Sequence, residues 1–130
     1  MTTEDLRRLR VAPVEQSDDA LYQQLVLLSA YGAQRWAHVE VSGQLEVFLW
    51  PRDRGPVQRQ EVAYRVTQRT AEKGVWKVTL CRDDNLPAGV PSSTRDTVLR
   101  AQISRSVMQV DGTVADHVVQ CGLFGEVLYR

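Results

Sequence analysis

Residues 107–121, VMQVDGTVADHVVQC, carry Asp111, Asp116, His117 and Cys121 within fifteen positions. Carboxylate, imidazole and thiol are the groups of general acid–base and nucleophilic catalysis, so their spacing decides whether they can act together. Alternating apolar residues flank Asp111-Gly112, and an Asp-Gly pair in that setting is the strongest short signal for a two-residue β-hairpin, because a type I′ turn needs positive φ at both central positions. The segment is therefore read as a hairpin with Asp111 in its turn. On that register Asp116 and His117 point to opposite faces and form no dyad. His117 shares a face with Cys121, but four strand residues separate them by roughly 13 Å, too far to hold one ion. Ser106 stands opposite His117, without the nucleophile elbow or the orienting acid that serine catalysis requires.

Asp116 is the residue of most interest. Its expected face carries Leu99, Ala101, Ile103, Val107, Val114 and Val118, and Arg105 is its diagonal neighbour across the ladder. Burying a carboxylate and a guanidinium is costly unless they pair, so one reading is a structural Arg105–Asp116 ion pair. The other is a ligand pocket between helix and sheet, with Arg105 holding a carboxylate or phosphate and Asp116 serving as acceptor or base.

Other chemistry is bounded quickly. His38 and Glu40 reproduce the first half of a deaminase H-x-E, but no P-C-x-x-C follows. There is no G-x-x-x-x-G-K-[ST], G-x-G-x-x-G, G-x-S-x-G or H-E-x-x-H. With only His38 and His117, and with Cys81 and Cys121 lacking C-x-x-C spacing, neither a metal site nor a disulfide framework is expected, and no cofactor is implied.

The elements that must position these residues follow from hydrophobic period. SDDALYQQLVLLSAYGAQRW reads as the principal helix: Ser17 caps it, Asp18 and Asp19 favour its first turn, and Leu21, Leu25 and Leu28 make a stripe that ends near Gly32. From residue 38 the period becomes two. Val39 and Val41, then Leu45, Val47 and Leu49, alternate around Ser42-Gly43, and Pro51 closes the segment. Residues 59–82 read as a hairpin turning through 70–74, with Val62, Tyr64, Val66, Trp76, Val78 and Leu80 on its apolar face. Residues 95–129 supply two further strands and a C-terminal strand that is apolar on both faces.

Charge is uneven although it sums to zero: residues 1–50 carry −3, 51–82 carry +5 and 83–130 carry −2. Arg65, Arg69 and Lys77 fall on the polar face of the middle hairpin, with Arg52, Arg54 and Arg59 in or beside the loop before it. This basic patch is read first as a solvated sheet face, second as a surface for an acidic protein or anion, and third as a nucleic-acid site. Nucleic acid ranks last because Tyr64 and Trp76 are assigned to the opposite face, whereas single-strand binding interleaves aromatics with cations.

At 130 residues, 43% apolar and 25% charged, the chain reads as one α+β domain spanning 1–130. The expected fold is one principal N-terminal helix packed on a bent antiparallel sheet of five to six strands, a helix-on-sheet roll. Residues 1–16 are read as a loose turn of helix or a mobile segment. MTTEDLRRLR lacks the apolar core of a secretory signal and no apolar run is long enough to span a bilayer, so the reading places the protein in the cytoplasm, away from membranes. The expected function is non-catalytic binding through a protein interface, as a homodimer, adaptor, inhibitor or immunity-type partner, with self-association through the C-terminal strand. The alternative is a small-ligand pocket protein or small enzyme using Arg105 and Asp116.

Overall fold

A computed structural model describes residues 18–43, 46–52 and 63–129. In chain order these form α1 (Asp18–Ala33), β1 (Ala37–Ser42), β2 (Glu46–Pro51), β3 (Tyr64–Val66), α2 (Gln68–Thr79), a 3-10 turn at Asp83–Asn85, α3 (Ser92–Ser104) and α4 (Gly112–Phe124). The mix is α+β, but it differs from a roll of five or six strands. Among the described residues there are four α-helices, distributed along the chain, and one antiparallel sheet in the order β1-β2-β3.

α1 and the first hairpin follow their sequence patterns. Leu21, Tyr22, Leu25, Val26 and Ala33 are buried on one face of α1, which ends one residue beyond Gly32. β1 and β2 pair with Val39 opposite Leu49 and Val41 opposite Val47. Val47, Leu49 and Val66 line the inner face of the sheet.

Over its described residues, 63–82, the hairpin expected at 59–82 is instead the short strand β3 followed by α2. Tyr64 and Val66 do alternate on β3, which pairs with β2 through Val47–Val66 and Leu49–Tyr64. At Thr67 the chain turns into the helix, its backbone N–H donating to Thr70 Oγ1 at 3.2 Å. Ala71, Gly74, Val75 and Val78 then fall at i, i+3, i+4 and i+7, a helical stripe, and all four are buried. Gly74 had signalled a turn. It sits mid-helix because a side chain there would overlap the carbonyl oxygen of Val118 on α4.

The strands expected at 95–129 are α3 and α4. Thr94, Val98 and Ala101 form the buried stripe of α3, and Ala115, Val118, Val119 and Gly122 that of α4. Asp111-Gly112 is not a hairpin turn. Asp111 caps α4, its Oδ1 accepting from Val114 N at 2.8 Å, and Gly112 lets the start of α4 lie against the backbone at Gly32 of α1. α4 is the central element, packed on α1 and α2, and it stops at Gly125, whose φ of +80° suits glycine.

α4 also removes the C-terminal strand through which self-association was expected. Val119, Cys121, Val127 and Tyr129 are covered within the chain, and the tail turns back so that Val127 N donates to Ala88 O at 2.8 Å. No helix among the described residues is long and apolar enough to cross a membrane.

Candidate functional site

Asp116 lies on the inner face of α4, with no exposure to solvent. Its guanidinium partner is Arg35, from the segment joining α1 to β1, with Nη2 3.4 Å from Oδ2. The diagonal that would have paired it with Arg105 belonged to a strand ladder that the helices replace. Arg105 is the exposed residue that ends α3, held in the left-handed region at φ 54°.

Two further donors converge on the same carboxylate. Trp36 Nε1 donates to Oδ1 at 3.1 Å, and Gln120 Nε2, one turn along α4, donates to Oδ2 at 3.0 Å. Gln120 also accepts from the backbone N–H groups of Leu128 and Tyr129, each at 2.9 Å, and donates to Tyr129 O at 2.8 Å. The tail is thereby fixed by one side chain, and the Tyr129 ring stacks on Trp36 with centroids 4.2 Å apart. Burial raises the Asp116 pKa above its ordinary range, opposed by the hydrogen bonds from Trp36 and Gln120 and by the charge of Arg35. Among the described residues Arg35, Trp36 and Gln120 all donate to this carboxylate.

The remaining groups of the 107–121 segment are also separated. His117 Nδ1 is 3.3 Å from Thr94 Oγ1 on α3, while Ser106 Oγ accepts from Met108 N at 3.2 Å. Cys121 is buried, which pushes its thiol pKa up to about 12 and holds it protonated, the opposite of what a nucleophile needs. No group of three or more His, Cys, Asp or Glu side chains among the described residues is arranged to hold a metal ion.

The basic patch is rearranged more than any other feature. Arg65 on β3 is paired with Glu46 of β2, and Arg52 donates from Nη1 to Gln34 O at 2.8 Å. Arg54 and Arg59 lie outside the described residues. Arg69 and Lys77 are on α2, where helical geometry adds Lys73 to their face, sets Leu80 between Arg69 and Lys73, and sets Trp76 at the edge of the arc beside Arg69. All five are exposed and span an arc of about 100° on the helix. Trp76 is 49% and Leu80 79% exposed, so these two apolar side chains stand in water among three cations. The only acid of α2, Glu72, is half-buried on the flank.

Period two from Val75 onward, after a turn at 70–74, assigns Trp76 with Val78 and Leu80 to a core face, which is not where the helix places Trp76 and Leu80. The signal that would have shown it is Ala71-Gly74-Val75-Val78: once those four face inward, residues 69, 73, 76, 77 and 80 face outward. Comparison with protein-family models, with curated proteins and with solved structures finds no match to this chain.

Proposed function

We propose that this is a non-catalytic binding protein that engages an acidic, amphipathic helical segment of another protein on the exposed face of α2. The observation that carries this reading is the placement of Trp76 and Leu80 in one stripe with Arg69, Lys73 and Lys77. The cations recur every four residues, about 6 Å per step, which is also the repeat of acidic side chains at i and i+4 on a facing helix. Partly exposed tryptophan beside cations is the composition of a protein-binding hot spot. Single-strand nucleic acid is disfavoured because stacking platforms use successive aromatics, whereas Trp76 is the one aromatic of α2. A membrane surface is disfavoured because interfacial helices immerse a whole apolar face, and that face of α2 is in the core.

The test is titration with a designed helical peptide bearing Glu at i and i+4 beside a Leu seam, followed by the Trp76 indole resonance. Saturable binding that weakens with salt and is lost in Lys73→Glu/Lys77→Glu, while a Lys-for-Glu peptide regains it, supports the reading. Equal binding of a scrambled peptide, or preferential binding of an oligonucleotide or of anionic vesicles, sinks it.

A further inference from the structure

Beyond the α2 face, a groove of about 610 Å³ runs between the C-terminal half of α3 and residues 106–110, which lead into α4. Its floor is Ala101 and Val110, both buried, and its rims are Ile103 and Met108, which are 83% and 92% exposed. Two large apolar side chains almost wholly in water on either side of a concave apolar floor leave surface that a ligand would remove from water. The polar groups are asymmetric. Ser104 Oγ is committed as a donor to Arg100 O, so its hydroxyl offers only lone pairs, whereas Ser106 Oγ accepts from Met108 N and keeps its proton to give. Among the described residues that line the groove, Arg100 is the only charged side chain and none is an acid.

We propose that this groove binds a small amphiphile, an aliphatic chain ending in a carboxylate. The chain would lie over Ala101 and Val110 between Ile103 and Met108, and the carboxylate would be held by Arg100 with the Ser106 hydroxyl. A peptide fits less well. The α3 wall spends its amide N–H groups within the helix, so the carbonyls of a bound peptide's main chain would find no backbone donors there. Met108 suits the role of rim because its flexible thioether adapts to a chain of variable length.

Decanoate, kept below its micelle concentration, is the probe. The chain has two methionines, Met1 and Met108, so the Met108 methyl resonance is readily assigned. The expected result is a saturable shift of that methyl, with affinity reduced at least about ten-fold by Arg100→Gln or by replacing decanoate with decanol, as loss of a charge-assisted contact requires. Arg100 is exposed, so the Gln variant should retain the parent melting temperature, and Ile103→Asp should abolish the shift without disturbing the core. The proposal is overturned if the shift fails to saturate, if decanol and decanoate bind alike, or if an apolar peptide with a free carboxyl terminus binds more tightly than decanoate. Because these residues lie outside the α2 stripe, either proposal can fail while the other stands.

Discussion

Trp36 and Asp116, eighty positions apart, meet with the indole N–H 3.1 Å from a carboxylate oxygen in a site closed to water. The contact joins the segment between α1 and β1 to α4, and the tail is laid over it through Tyr129 and Gln120. Deleting the carboxylate removes the acceptor of the buried Trp36 and Gln120 donors together. Asp116→Ala should therefore cost about 3 to 5 kcal/mol in denaturant unfolding. Arg35 is 45% exposed at its side chain, and its pairing is weakened by solvent, so Arg35→Gln should cost about 1 kcal/mol or less. Equal losses from the two changes would show that the ion pair, and not the set of hydrogen bonds, dominates the site.

The same burial fixes the sign of a pH effect. A carboxyl group whose pKa is raised by folding binds its proton more tightly in the native than in the unfolded state. Its contribution is then fully present below the ordinary value of 3.8 and is lost as pH rises through the folded pKa. Subtracting the stability–pH curve of Asp116→Asn from that of the parent should leave a difference that falls as pH rises above 3.8. A difference that climbs over the same interval would show that the three donors outweigh burial.

Gly74 and Gly122 set how closely α2 and α4 approach, because a methyl on Gly74 would meet Val118 O and one on Gly122 would meet Thr70 O. Alanine raises helix propensity by up to about 1 kcal/mol, so a purely local account predicts stabilisation. Overlap with backbone that cannot move aside outweighs this. Each Ala variant should lower stability by about 1 to 3 kcal/mol. Gly43→Ala, where nothing lies within 4 Å, is the control, and a thermal melt that puts all three variants together would refute the close approach.

Asp111 separates cap from turn. As the N-cap of α4 it satisfies Val114 N–H, so Asp111→Ala should cost about 1 kcal/mol, with Asp111→Ser nearly neutral. If the residue were in a type I′ turn, Asp111→Asn would be neutral or better and Ser would be the damaging change. Chemical denaturation of the three variants decides between them.

α1 and the β1–β2 hairpin were legible in the sequence because each has one dominant period and a local stop: Leu21 and Leu25 repeat at helical spacing up to Gly32, and Val47 and Leu49 alternate up to Pro51. Asp116 could be singled out as a carboxylate among apolar residues, and it is buried. Its partners could not, since Trp36 and Arg35 are brought to it only when α1 packs on α4.

The later elements were ambiguous for a physical reason. In valine-rich segments the same residues satisfy two periods: Val114, Asp116 and Val118 alternate as on a strand, while Ala115, Val118, Val119 and Gly122 repeat as on a helix. β-Branched side chains and Asp-Gly tilt the local evidence toward strands. What settled it is contact with elements distant in sequence. Gly74 and Gly112, which read locally as turn signals, are with Gly122 the points where helices touch backbone to backbone, and that use of glycine exists only after the helices have packed. The sequence by itself determined the mixed class, the first helix, the first hairpin and the concentration of positive charge in residues 51–82. Tertiary packing decided that residues 68–124 are mainly helical, and with that which side of α2 faces water and places Trp76 among the cations.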